Sequence, residues 1–249
     1  MDSSFRDHFS VAAAEYAARR PTYPRELVDF LASVAPSKKL AWDCGCGSGQ
    51  LTALLADAFE RVIATDASRA QIAQATPHPR IEYRVARAEA SGLPSASFDL
   101  VVSAQAAHWF ELDQFYAEAK RVLVPRGILA LASYGVAKLD DDLHAALHPY
   151  YAETLKKHWP PERWHVDDEY RSIHFPFREL DKPVLEIRVE WTLAEMLGYV
   201  HTWSATLSLV KSGGAAELKS FEDRFSRAWG DPHKRRTIRW PLAMRIARL

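Results

Sequence analysis

Apolar positions recur along this chain at two periods, and the two periods alternate. Leu27, Phe30, Leu31 and Val34 stand at i, i+3, i+4 and i+7, which predicts an amphipathic helix over 24–35 with Pro24 near its start. Pro36 ends it. The apolar run Leu40 to Cys44 predicts a buried strand, and Leu51, Leu54, Leu55 and Ala58 make the stripe of a second helix. Val62 to Asp66 is a short strand ending in an acid, and Ser68 is placed to cap a helix running to Ala75. Ile81, Tyr83 and Val85 alternate with polar residues, and Phe98 to Ser103 is a fourth apolar run. Leu112 to Val124 reads as helix, and Pro125-Arg126-Gly127 turns the chain into a fifth strand, Ile128 to Ala132. Strands and helices alternating at this spacing predict a parallel, doubly wound sheet with right-handed crossovers.

The pattern changes after that. Residues 138–178 carry the acidic run Asp140-Asp141-Asp142 and the aromatics Tyr150, Tyr151, Trp159, Trp164, Tyr170, Phe175 and Phe177, with no strand period. This stretch predicts a mostly helical insertion over the C-terminal edge of the sheet. Leu185, Ile187, Val189 and Trp191 then alternate with charged residues as a half-buried strand. Thr192 is placed to cap a helix to about Trp203, and a further helix spans about Ala215 to Trp229. Ile238, Trp240, Leu242, Met244 and Ile246 alternate as a last strand, where Pro241 predicts a bulge or an edge.

Composition adds bounds. A chain of 249 residues with 48% hydrophobic content is an ordinary globular protein with one substantial core. Its formal net charge is zero, which argues against a broad nucleic-acid surface. The basic cluster Lys234-Arg235-Arg236 with Arg239, Arg245 and Arg248 reads as a solvated strand end. Cys44 and Cys46, one residue apart on a turn, are poorly placed for a disulfide. His144, His148, His158 and His165 have no metal-ligand spacing, so no metal site is expected. No segment reaches the length of a membrane span and Met1 to Ser10 has no leader pattern, so the expected location is cytoplasmic.

The candidate chemistry sits between the first strand and the second helix. Asp43-Cys44-Gly45-Cys46-Gly47-Ser48-Gly49 is D-x-G-x-G-x-G. Each glycine removes a Cβ that would block either the turn or a ligand approaching the backbone. A dinucleotide fingerprint needs glycine at position 50, where Gln50 stands; this argues against a nicotinamide-dependent oxidoreductase. Asp66 follows 23 residues after Asp43 at its own strand end. It either caps the next helix or accepts both hydroxyls of a ribose, and its place after this loop favours the ribose. Ala88 and Glu89, after the third strand, are placed to read an adenine edge. Gln105 and His108-Trp109 follow the fourth strand, where ligands bind in open α/β sheets.

The glycine motif resembles motif I of the class I S-adenosylmethionine-dependent methyltransferases. With Asp66, Ala88-Glu89, Leu93-Pro94, Phe98-Asp99 and Leu123-Val124-Pro125-Arg126-Gly127 it is similar to the methyltransferase type 11 pattern over roughly 38–134; Arg126 stands where glycine is more usual. The resemblance implies a Rossmann-like, mostly parallel seven-stranded sheet with the helical insertion before the sixth strand. It implies one domain over 1–249: a donor-binding core (38–134), a lid-like insertion (138–178) and C-terminal strands and helices (183–249). Three weaker pieces resemble trans-aconitate methyltransferases and related small-molecule carboxyl methyltransferases. These are Tyr16-Ala17-Ala18-Arg19-Arg20-Pro21-Thr22-Tyr23-Pro24, Gly198-Tyr199 with Thr202-Trp203-Ser204-Ala205, and Trp240-Pro241-Leu242.

What the resemblance implies is a methyltransferase using S-adenosylmethionine, with S-adenosylhomocysteine as product. The donor would lie against Asp43, Gly45, Cys46, Gly47, Gly49, Asp66, Ala67, Ala88, Glu89 and Gln105, with Tyr16 and Arg20 over its methionine end. His108, Trp109, Tyr134 and Trp203 would line the acceptor pocket, His108 being the candidate base. The expected acceptor is a small molecule methylated on a carboxylate oxygen, which needs no base. RNA or protein as acceptor, and a donor-binding module without turnover, are the alternatives.

Overall fold

The computed structural model describes residues 20–249. Seven strands form one sheet in the order β3-β2-β1-β4-β5-β7-β6. They are β1 (Leu40–Cys44), β2 (Arg61–Asp66), β3 (Ile81–Val85), β4 (Phe98–Ala104), β5 (Leu123–Tyr134), β6 (Glu186–Trp191) and β7 (Arg236–Arg248). The first five are parallel, and β7 runs antiparallel to both neighbours. Around them lie α1 (Arg25–Val34), α2 (Gln50–Ala58), α3 (Arg69–Ile72), α4 (Leu112–Val122), α5 (Asp141–Pro149), α6 (Arg163–Asp167), α7 (Leu193–His201), α8 (Ser204–Lys211) and α9 (Ala215–Trp229). The chain order reverses between β1 and β4, which opens a crevice at their C-terminal ends.

The strand period of two divides the core. Ala41, Leu100, Val102, Ile128 and Ala130 face one layer, with α1, α2 and α7–α9. Trp42, Val101, Leu129 and Leu131 face the other, with α4. The insertion joins both layers. Leu143, Leu147 and Tyr150 pack into the first, where Tyr150 stacks on Phe221 of α9 with ring centroids 4.1 Å apart. Val166, Tyr170, Ile173 and Phe175 pack into the second. The segment therefore crosses the C-terminal edge of the sheet and is anchored on each side.

Three local features differ from the sequence expectation. The Pro125-Arg126-Gly127 turn lies inside β5, where the pairing shifts from Phe98↔Leu123 to Leu100↔Ile128 and Arg126 takes φ +68°. This explains why glycine is the easier residue there. Helix α8 has no separate signal, since its start at Ser204 follows directly on α7. Pro241 sits where β7 changes partners: it pairs with Glu186 of β6, and pairing with β5 starts at Leu242. Proline is tolerated because the ladder to β5 has ended at that residue. Thr192 caps α7 as expected, in a reciprocal capping box with Glu195. Among the described residues no helix is long and apolar enough to cross a membrane.

Candidate functional site

The turn after β1 is built by three left-handed glycines, Gly45 (φ +72°), Gly47 (φ +56°) and Gly49 (φ +91°). A Cβ on Gly45 would overlap Cβ of Ala106 in the loop after β4, and one on Gly49 would overlap the hydroxyl of Tyr83. Gly47 differs: the nearest atom to its Cβ position is Gln71 Oε1 at 3.8 Å. Two glycines thus permit close packing, and the third leaves an open cradle. The Gly45 and Cys46 amides both donate to the Thr65 carbonyl, at 2.8 and 3.0 Å, tying the turn to β2.

Asp66 closes that tie. Its Oδ2 accepts the Gly47 N–H and its Oδ1 accepts the Ser68 N–H, each at 2.8 Å. The helix cap is Ser68 itself, which accepts from the Gln71 amide. Asp66 thereby holds the cradle in shape. Ala67 lies half-buried beside it. Asp43 lies beneath the turn and is buried. Thr52 donates to its Oδ2 at 2.6 Å, and burial first, with the Asp66 charge adding, raises its carboxyl to about 7. Its Oδ1 has no hydrogen-bond partner among the described residues, and neither have Oε1 of Gln71 and of Gln105. Three buried acceptors around one cradle suit a cationic ligand rich in N–H and O–H donors.

Ala88 is buried in the loop after β3. The Glu89 carboxylate accepts the Glu111 N–H at 3.0 Å and lies 3.3 Å from Arg87 Nε, so it ties that loop to the start of α4. Gln105, in a left-handed conformation (φ +59°), donates from Nε2 to the Tyr134 carbonyl at 2.8 Å.

His108 sits in a single 3-10 turn, Ala107–Trp109. Its Nδ1 lies 2.9 Å from the hydroxyl of Tyr170, contributed by the insertion. Tyr170 is fully buried, reached through two consecutive left-handed residues, Glu169 (φ +61°) and Tyr170 (φ +59°). Its proton therefore has His108 Nδ1 as acceptor, since a buried hydroxyl left without one costs about 1–3 kcal/mol. That assignment places the imidazole proton on Nε2. Burial, then the charges of Arg163 and His165, lower the imidazole to about 3. His108 is neutral at physiological pH and presents an N–H.

Arg163 of α6 faces the same region. Its Nε donates to Asp167 Oδ1 at 3.0 Å and to the Tyr151 hydroxyl at 3.1 Å. Its guanidinium lies 4.9 Å from the Trp159 ring centroid. From there an aromatic row continues through Trp203, Tyr199, Trp240 and Tyr134 to Tyr23. Arg20 lies over Tyr199, 5.2 Å from its centroid, and Tyr16 lies outside the described residues. Trp203 and Tyr134 are buried in this row and Trp109 is half-buried against His108. The sequence reading missed Tyr170 and Arg163 as site residues. They lie 62 and 55 positions from His108, and their only signal was the aromatic richness of the insertion. Among the described residues no cluster of His, Cys, Asp and Glu could hold a metal ion.

A family profile described as a methyltransferase domain matches residues 42–131. A Dictyostelium discoideum protein named as a methyltransferase is 36% identical over 231 residues, covering 91% of this chain and 88% of that protein. The solved structure of a type II methyltransferase from Anaeromyxobacter dehalogenans is 46% identical, with a TM-score of 0.86 over 92% of this chain and 97% of that one. A Haemonchus contortus phosphoethanolamine N-methyltransferase, solved with S-adenosylhomocysteine, shares the fold at 16% identity and a TM-score of 0.50, covering 97% of this chain and 60% of that one.

Proposed function

Because the chain belongs to the class I S-adenosylmethionine-dependent methyltransferases, we propose that it methylates a carboxylate oxygen of a small molecule. The observation that carries the carboxylate is the Tyr170–His108 pair. The histidine beside the expected acceptor position is a neutral N–H donor, and burial makes its imidazole a poor base. An alcohol or amine acceptor needs a base there, whereas a carboxylate is already ionised and takes a hydrogen bond instead. His108 is thus a donor to the acceptor's second oxygen, in place of the base expected from its strand-end position.

The donor residues are those of the glycine cradle. Asp66, at the end of the strand after the glycine turn, accepts the ribose hydroxyls, and the Gly47 cradle admits the donor to the backbone. Asp43 and Gln105 supply acceptors for its ammonium, while Ala67, Ala88 and Glu89 border the adenine. Arg20 holds the methionine carboxylate. S-Adenosylmethionine, when bound, supplies a methyl group already activated on a sulfonium. The remaining work of the chain is to align the carboxylate in line with that bond and to exclude water, which accounts for much of the barrier reduction in such reactions. The anchored insertion, with Tyr170 and Trp159, forms the water-excluding wall together with Trp203 from the C-terminal part of the chain.

The test has two parts. Calorimetry with S-adenosylhomocysteine, with NADH as control, should give binding of the first alone. Transfer from methyl-labelled donor to a panel of small carboxylic acids should then give a methyl ester that alkali releases as methanol. A base-stable product would overturn the carboxylate assignment and leave the donor assignment standing.

A further inference from the structure

We propose that Arg245 is a positioning residue for the reaction: it holds the backbone of Tyr170 so that the Tyr170 hydroxyl fixes the proton of His108. This rests on the donor role given to His108 above and adds the group that enforces it.

Helix α6 ends in a Schellman cap. The Tyr170 N–H donates to the His165 carbonyl at 2.7 Å and the Glu169 N–H to the Val166 carbonyl at 3.1 Å. Glycine is the usual residue just past such a cap, because it takes the left-handed backbone without strain. Glu169 stands there at φ +61°, and Tyr170 follows at φ +59°. Consecutive left-handed residues with side chains are strained and persist only where their surroundings hold them. From Arg171 to Arg178 the chain forms neither helix nor strand, so its buried carbonyls need donors from elsewhere.

Arg245 supplies them. Its Nη1 donates to the carbonyls of Tyr170, at 3.0 Å, and Ile173, at 3.4 Å. Its Nε donates to Glu179 Oε1 at 2.8 Å, which sets the plane of the fork. The guanidinium lies 5.0 Å from the Phe175 ring centroid. The sequence groups Arg245 with a solvated basic cluster, but its side chain is only 19% exposed. Register is the reason. Arg245 pairs with Leu131 of β5, whose side chain faces the second core layer, and cross-strand partners share a face. A residue of β7 thereby reaches the insertion. The Tyr170 carbonyl it holds belongs to the residue whose hydroxyl lies 2.9 Å from His108 Nδ1. The His108 tautomer thus depends on a strained backbone that Arg245 keeps in place.

The nitrogen spectrum of His108, assigned by its loss in His108→Gln, reads the tautomer without any acceptor. The wild type should show Nε2 protonation alone. Arg245→Met should show a mixture of both tautomers, with S-adenosylhomocysteine affinity unchanged. Its turnover of whichever carboxylic acid the panel yields should fall about tenfold. Arg245→Lys keeps the charge and loses the fork; it serves where the methionine variant does not fold, and should show the same mixture to a smaller degree. Adding Glu169→Gly to either variant should restore the single tautomer, since glycine removes strain that Arg245 otherwise holds. Tyr116→Phe is the control. It removes the hydroxyl that donates to the His174 carbonyl at 2.7 Å, loosening the same segment beyond Tyr170, and should leave the spectrum unchanged. The proposal is overturned by a single tautomer in both Arg245 variants, by no rescue from Glu169→Gly, or by a mixture in Tyr116→Phe. A base-stable methyl product would instead overturn the carboxylate reading, and the nitrogen spectrum would still decide the role of Arg245.

Discussion

The hydroxyl of Tyr170 lies 2.9 Å from Nδ1 of His108, across 62 residues of sequence. The phenol is fully buried and its proton needs an acceptor, so this contact fixes which nitrogen of the imidazole carries its proton. Tyr170→Phe removes the donor to Nδ1 and frees the ring to place its proton on either nitrogen. Turnover should fall about ten- to a hundredfold, the cost of one misplaced hydrogen bond at a reacting group, with donor affinity unchanged. Nitrogen NMR of the wild type should show His108 protonated at Nε2 with no titration between pH 5 and 8. A titration near 6.5 would contradict the assignment.

Asp43 sets a pH dependence of stability. Its folded value of about 7 lies above the ordinary 3.8. Between those values the folded chain holds a proton that the unfolded chain has lost, so stability falls as pH rises from about 4 to 7, and the full penalty stands above 7. Asp43→Asn removes that dependence. Its gain in melting temperature over the wild type should be larger at pH 8 than at pH 5. An equal shift at both would mean that Asp43 ionises normally. His108 works at the other end: its folded value of about 3 lies below the usual 6.5, so its contribution is lost as pH falls through that window.

Asp66 joins the Gly47 amide to the Ser68 amide and is assigned to the ribose. Asp66→Ala should weaken S-adenosylhomocysteine binding by about 1–3 kcal/mol, the usual range for a charge-assisted hydrogen bond. Calorimetry reads this directly. Unchanged affinity would leave Asp66 with its structural role alone.

Gly45 and Gly47 should part company on substitution. Gly45→Ala drives a methyl group into Ala106 and strains a left-handed backbone, so it should lower the melting temperature strongly. Gly47→Ala meets only Gln71 Oε1, at an ordinary contact distance of 3.8 Å, so its stability cost should be only the backbone strain of about 1–2 kcal/mol. Its methyl would project into the cradle, and donor affinity should drop more than stability does. Parallel melts and titrations distinguish the two; equal losses for both variants would remove the distinction between packing and cradle.

Much of the fold was legible in the chain. The alternation of Leu40–Cys44, Val62–Asp66 and Phe98–Ser103 with helical stripes specifies parallel strands because those strands are apolar on both faces. The exceptions have local causes. Helix α8 follows α7 without a breaker, and Pro241 reads as an interruption until β7 is seen to exchange partners there. The turn at 125–127 is a bulge within β5 because Arg126 adopts the left-handed backbone.

By itself the sequence determined the sheet, the glycine turn and Asp66 at the next strand end, since each depends on residues near one another in the chain and on periods that local geometry imposes. Only the tertiary structure decided what surrounds His108. Tyr170 and Arg163 come from an insertion whose path over the sheet edge is set by packing against two separate cores. The protonation of a histidine depends on what that path brings within hydrogen-bonding distance, and no spacing in the chain encodes it.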